Sequence, residues 1–331
     1  VLGVPPLHGD YHEDILKAFA QITDDTLSPI ETTLPYINRR IDRSETPDIL
    51  SRLSEGQSIL LTGNAGVGKT GVLGQIVDRW TSTPALFTDA RRFSEISNKT
   101  ELRHKFDFNG PLADAIARVG HHDGCLLVVD QLDNIGGTPA AGLFTELLTE
   151  VAELDNVNVI VGCREWDLQN RDVYAPLIDS EAFEPIELSG LSESGVRTVL
   201  EELGISDYSD ELTTLATNLL NLSIIAELRD QTALDQIDYS QIKSQVELWD
   251  RYQETLVERE TQGAEWDRES GYKVRARAVE LAKRGLSDGT RVVPISLRRN
   301  RADERLISRN VIQHERGERY RFRHDELQDY F

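Results

Sequence analysis

The stretch that decides the fold is Gly63-Asn64-Ala65-Gly66-Val67-Gly68-Lys69-Thr70, of the form G-x-x-x-x-G-K-[ST]. It follows a short apolar run, Ser58-Ile59-Leu60-Leu61-Thr62. It opens a segment whose apolar residues, Val72, Leu73, Ile76, Val77 and Trp80, recur at helical spacing. Strand, glycine-rich loop and helix in that order form the context a phosphate-binding loop requires. Glycines let the backbone curl so that successive N–H groups face an anion. The helix N-terminus adds the positive end of its dipole. Residues Gly63 to Thr70 are therefore expected to bind nucleotide, with Lys69 reaching the β- and γ-phosphates and Thr70 offering its hydroxyl to Mg²⁺.

A nucleoside triphosphatase also needs a carboxylate for Mg²⁺ at the end of a neighbouring strand. Leu126-Leu127-Val128-Val129-Asp130 has that form, which makes Thr70 and Asp130 the expected Mg²⁺ pair. Asp133 follows three positions later and is a candidate for orienting the attacking water; the other reading of it is a helix cap. The strand 157–163 ends in Arg164, which would point into the crevice where open α/β sheets hold ligands. Arg164 is a candidate γ-phosphate sensor, or else a structural ion-pair partner of Glu165 or Asp167.

Around these residues, from 58 to 190, apolar strands (58–62, 84–88, 125–130, 157–163, 184–188) alternate with helical patterns at 69–80, 110–119 and 140–154. Near-continuous apolar strands suit a parallel sheet buried on both faces, with helices on either side. The polar stretch 89–109, with its Arg91-Arg92 pair, reads as a partly helical excursion. Residues 1–45 carry helical patches around Ile15–Ile22 and Ile30–Ile41. After Gly190 the pattern turns helical, starting with Ser192 as an N-cap and continuing at 209–217, 220–230, 240–262 and 270–285. Then come Val292–Leu297, a charged helix at 302–308, and two short strands at Asn310–Gln313 and Tyr320–Phe322 around a turn at 316–318, the pattern of a winged helix. The expected domains are an N-terminal helical segment (1–45), a nucleotide-binding domain (46–190), a helical lid region (191–285) and a winged-helix domain (286–331).

The chain has 331 residues, 39% of them hydrophobic, enough for more than one core. Its net charge is −21, with seven lysines against 29 arginines. A surface of that sign repels nucleic acid and anionic membranes on average, though the arginine-rich tail from Arg298 to Arg323 is a local exception. Nucleic acid is not expected as the primary ligand. No apolar run approaches the roughly 20 residues that span a bilayer. Both cysteines, Cys125 and Cys163, fall in expected buried strands and read as small core residues of a reducing, cytoplasmic compartment. The absence of Met, and an end at Phe331 inside an amphipathic segment, point to an excerpt of a longer chain.

Taken together, Gly63–Thr70, Asp130-Gln131-Leu132-Asp133, Gly162-Cys163-Arg164, Leu188-Ser189-Gly190-Leu191, Leu219–Leu228 and Phe322–Phe331 resemble the STAND class of P-loop NTPases, its NACHT-like prokaryotic branch most closely. The resemblance runs from about residue 46 to 331. It implies an α/β fold with a parallel sheet in order 5-1-4-3-2, a helical lid and a winged helix. It implies ATP and ADP as ligands, Mg²⁺ as cofactor, slow hydrolysis, and nucleotide-controlled opening and homo-oligomerisation, in signalling or prokaryotic defence. It would place His324 against the bound diphosphate; the residue-level alternative is a capped core histidine. Two departures stand out. The proline that usually sits in the lid motif has no counterpart in Asn218-Leu219-Leu220-Asn221, and the acidic residue that often follows the second aspartate is Asn134. The alternative class is an AAA+-like DNA-loading ATPase, which also joins such a sheet to a winged helix; the charge of −21 disfavours it.

Overall fold

The computed structural model describes residues 9–30, 33–34, 36–106, 111–231, 237–261, 268–287, 292–295, 301–308, 311–316, 319–322, 328 and 330–331. Two compact units divide the chain. One comprises 1–196 with 217–220, the other 197–216 with 221–331.

The first unit is built on five strands: β1 (Ser58–Thr62), β2 (Ala85–Asp89), β3 (Cys125–Asp130), β4 (Val157–Gly162) and β5 (Phe183–Glu187). They lie in spatial order β2-β3-β4-β1-β5, and every neighbouring pair is parallel. This is the expected 5-1-4-3-2 order. The strands β1 and β3 are buried along their whole length and β4 at every position but Asn158, whereas in β5, at the edge, only Phe183 is buried. That edge position accommodates Pro185, which cannot donate a ladder hydrogen bond.

Side chains alternate across the sheet. Leu60, Leu127, Val129, Val159 and Val161 face one core, against α1 (Gly9–Leu27), α5 (Leu112–Asp123) and α6 (Pro139–Ala152). Ile59, Leu61, Phe87, Leu126, Val128 and Ile160 face the other, against α2 (Thr46–Ser54) and α3 (Lys69–Arg79). Burying apolar residues on both faces is why these strands read as unbroken apolar runs. Between β2 and β3 the chain makes a 3₁₀ turn at Ala90–Phe93 and the helix α4 (Lys99–Lys105). Beyond β4 come α7 (Glu165–Asn170) and α8 (Ala175–Ile178).

One expectation fails in this unit. The patch at 30–41 is not helical: Thr33–Leu34 and Arg39–Arg40 pair as a two-residue antiparallel ladder. Tyr36 (φ 68°) and Asn38 (φ 48°) between them adopt left-handed backbone, which a right-handed helix excludes.

The helix α9 (Glu193–Glu202) starts where Ser192 was expected to cap it, and the Gly195 N–H donates to the Ser192 hydroxyl at 3.2 Å. The second unit then holds α10 (Asp210–Ala216), most of α11 (Leu219–Gln231), α12 (Gln245–Thr261) and α13 (Arg268–Ser287). It ends in β6 (Val292–Pro294), α14 (Arg301–Ser308), β7 (Ile312–Arg316) and β8 (Arg319–Phe322), with the three strands forming an antiparallel sheet in order β6-β8-β7. The sequence reading had two strands here; β6 adds a third by pairing Val293 with Tyr320. Arg277 on α13 grips the buried Asp303 of α14 at 2.6 Å. Most of the expected turn at 316–318 lies outside the described residues.

Candidate active site

Parallel strands all end on the same side, so β1, β2, β3 and β4 deliver their C-terminal residues to one edge. At β1 that edge is the loop Gly63–Gly68. Gly63, Gly66 and Gly68 have φ of 143°, 77° and 100°, all in the region that favours glycine. Lys69 opens α3, and its ammonium donates to the carbonyls of Gly63 (2.7 Å) and Asn64 (3.0 Å). Burial pushes the Lys69 pKa down, while the charges of Asp133 and Asp130 oppose that shift.

Asp130 closes β3, 3% exposed. Its Oδ2 accepts a hydrogen bond from the Thr70 hydroxyl at 2.5 Å, and its Oδ1 accepts one from the Gln131 N–H at 2.8 Å. Loop, lysine, hydroxyl and strand-end carboxylate thus converge at the edge of a 5-1-4-3-2 parallel sheet. This is the fold of a P-loop NTPase.

Burial dominates the electrostatics of Asp130. It raises the carboxyl pKa to about 6; the neighbouring Asp89 pushes the same way, while the Thr70 hydrogen bond and Arg91 oppose it. A hydroxyl and a carboxylate already in contact are hard oxygen donors of the kind Mg²⁺ takes alongside phosphate oxygens, so the Thr70–Asp130 pair fits the ion expected from the sequence.

Asp133 and Arg164 are brought together. The guanidinium Nε of Arg164 lies 3.1 Å from Asp133 Oδ2, and the Arg164 backbone N–H donates to Asp133 Oδ1 at 3.2 Å. Asp133 is 7% exposed and Arg164 31%. Burial raises the Asp133 pKa, and the charges of Arg164 and Lys69 pull it back. Asp133 lies in a 3₁₀ turn, Leu132–Ile135, entered through Gln131 in left-handed backbone (φ 58°). Asp167 pairs with Arg171 at 2.5 Å. His324 lies outside the described residues.

Three features of the P-loop NTPase edge went unread in the sequence. Asp89 ends β2 in register with Asp130, and Arg91 grips its carboxylate at 2.6–3.1 Å. The signal was present, because Ala85-Leu86-Phe87-Thr88-Asp89 repeats the apolar-strand-then-aspartate form of β3. Gly162, at the end of β4, is required by Asp130: a Cβ there would sit 2.6 Å from Asp130 Oδ1 and 2.9 Å from a Leu73 methyl. Third, the segment Thr217–Leu220 packs on the phosphate loop, where the Asn218 amide donates to the Ala65 carbonyl at 2.8 Å. No sequence signal for that contact existed beyond the position of the segment.

No protein-family model matches the chain, and no curated protein matches it by sequence. Among solved structures it is similar to a Walker-type ATPase of Pyrococcus abyssi (14% identity, TM-score 0.45, covering 92% of this chain and 99% of that one). It is similar too to a signal-transduction ATPase with numerous domains, carrying a tetratricopeptide-repeat sensor, from Pyrococcus horikoshii (15%, 0.45), of which the match covers 44%, against 91% of this chain. The ORC1 protein of Aeropyrum pernix, solved in complex with DNA, matches at 16% and 0.42, covering 92% of this chain and 94% of that one.

Proposed function

We propose that the chain is the nucleotide-binding part of an ATP-driven switch of the STAND kind, an ATPase that turns over slowly and whose nucleotide state controls opening and self-association. The observation that carries the nucleotide reading is the contact of the Thr70 hydroxyl with the buried Asp130 beside the curled loop 63–68. The STAND branch, ATP rather than GTP, homo-oligomerisation and a signalling or defence role rest on the sequence resemblance.

The roles follow from position. Lys69 turns its ammonium from the loop carbonyls to the β- and γ-phosphates. Thr70 and Asp130 hold Mg²⁺, which when bound neutralises phosphate charge. Asp133 orients the attacking water. Arg164 divides its guanidinium between Asp133 and the γ-phosphate, so it responds to the one group that separates ATP from ADP. His324, in the proposed winged-helix domain 286–331, contacts the diphosphate as the resemblance implies; loss of ADP affinity in His324→Ala checks this.

Calorimetry on Lys69→Ala tests the nucleotide reading. Removing a charge-assisted contact to phosphate costs about 1.5–3 kcal/mol, a ten- to hundredfold loss of ATP affinity. ATP binding at the parent's affinity would refute the phosphate site. Light scattering of the full-length protein in ATP and in ADP tests the switch, and identical assembly in both states refutes it.

A further inference from the structure

Four successive carbonyls of the loop, from Gly63 to Gly66, are engaged. Lys69 Nζ holds those of Gly63 and Asn64. The next two belong to the turn that starts α11: the Asn218 Nδ2 donates to Ala65 O at 2.8 Å, and the Leu220 N–H donates to Gly66 O at 3.1 Å. The Leu220 N–H is shared with Asn218 Oδ1 at 3.0 Å, so the asparagine caps its helix with one atom and grips the loop with the other. The fit is close on both sides. A Cβ on Gly66 would lie 2.4 Å from Asn218 Oδ1, and one on Gly68 2.4 Å from a Leu219 methyl. The whole segment Thr217–Leu220 belongs to the sheet's own unit, although the chain on either side of it does not.

A trans peptide unit is planar, with its C=O and N–H pointing in opposite directions. The chain has no cis peptide bond among the described residues. Fastening the Ala65 carbonyl to Asn218 therefore aims the Gly66 N–H away from Asn218, and fastening the Gly66 carbonyl to the Leu220 N–H aims the Val67 N–H away from that turn. These are donors that a curled loop turns toward phosphate. Donors aimed in advance need no reorganisation when the anion arrives, which raises affinity.

Building on the phosphate-site reading above, we propose that Asn218 is a positioning residue for the polyphosphate: it touches no phosphate itself, and sets the direction of the Gly66 and Val67 N–H groups by holding the Ala65 carbonyl and ordering the Leu220 N–H on the Gly66 carbonyl. The asparagine thus has a role in the segment, Asn218–Asn221, that lacks the lid proline of the resembling class.

The test is isothermal calorimetry of the full chain with MgATP and with inorganic tripolyphosphate, on Asn218→Asp, Asn218→Ala and Lys69→Ala. Asn218→Asp keeps the acceptor that caps Leu220 and replaces the donor to Ala65 with a second oxygen. Asn218→Ala removes both contacts. Loss of one such hydrogen bond corresponds to a drop of about three- to tenfold in affinity. Both Asn218 variants should show it for both ligands, at unchanged stoichiometry. A variant that merely unfolds lowers the stoichiometry and leaves the affinity of its folded fraction alone, so parental affinity at any stoichiometry overturns the proposal. Lys69→Ala separates the two levels. If it weakens binding while the Asn218 variants do not, only the positioning role falls. If Lys69→Ala binds as the parent does, the phosphate site itself is wrong.

Discussion

Asp130 should destabilise the protein it serves. Its carboxyl pKa is raised from 3.8 to about 6 by burial. A carboxyl whose folded pKa lies above its unfolded one favours folding only while protonated. That contribution is complete below about pH 4, is lost as pH rises through 6, and stays lost above it. A rise of about two units is worth roughly 3 kcal/mol at 1.36 kcal/mol per unit. The substitution Asp130→Asn puts an amide that cannot ionise in the same place, so the variant escapes this loss. It retains one acceptor oxygen for the two hydrogen bonds from Thr70 and Gln131, a deficit of about 1 kcal/mol that does not depend on pH. The stability difference between variant and parent should therefore climb by about 3 kcal/mol between pH 4 and pH 7 and then level off. Urea unfolding of both proteins across that range, without nucleotide, measures it. The variant should also lose the Mg²⁺ enhancement of ATP binding. Stability curves that stay parallel from pH 4 to 8 would refute the argument, because they would mean that the folded protein holds the charged carboxylate at no cost.

Gly162→Ala should act on the same group from the opposite wall: a methyl placed 2.6 Å from Asp130 Oδ1 displaces the carboxylate, and MgATP affinity should fall about tenfold while affinity for metal-free ATP changes little, as calorimetry with and without EDTA would report. Asp133→Asn should lower turnover in a phosphate-release assay and leave ATP binding intact, whereas Arg164→Ala should narrow the ratio of ATP to ADP affinity; equal losses for both nucleotides would make Arg164 only the partner of Asp133. Cys125 and Cys163 are fully buried, and burial pushes the Cys125 thiol up to about 12 and the Cys163 thiol higher still. Neither should react with iodoacetamide at pH 8 until the sheet unfolds, and rapid alkylation of the native protein would contradict the core placement.

What the sequence disclosed was local. The glycine loop, the strand ending in Asp130 and the apolar runs each carry their signal within a dozen residues, and all five sheet strands lie where their apolar runs fall. The strand order came through resemblance, since no spacing in the chain shows that residues near 160 pair with those near 59. The helical reading of 30–41 failed because apolar spacing says nothing about φ, and Tyr36 and Asn38 decide that segment through their backbone. Asp89 was missed because it was weighed as part of a polar stretch rather than as a strand end. The grip of Asn218 on Ala65 joins residues 153 apart in sequence, and the missing lid proline drew attention to what the segment lacks rather than to what an asparagine can do there. Arg164 and Asp133 were legible as candidate site residues, but their mutual pairing was not, because it depends on how the turn after Asp130 bends.

The order of the strands also bears on how the chain comes to be folded. The loop strand β1 sits between β4 and β5, with Ile59 opposite Ile160 and Ser58 opposite Phe183. At a synthesis rate of about 5–20 residues per second, β1 waits several seconds for its first neighbour and longer for its second. During that interval Ile59, Leu60 and Leu61 present two unpaired edges, a template for another chain. β2 and β3, whose connection is far shorter, can meet sooner. The segment that reads most plainly in the sequence is thus among the last to find its place, and the nascent protein is most exposed to aggregation between the emergence of β1 and that of β5.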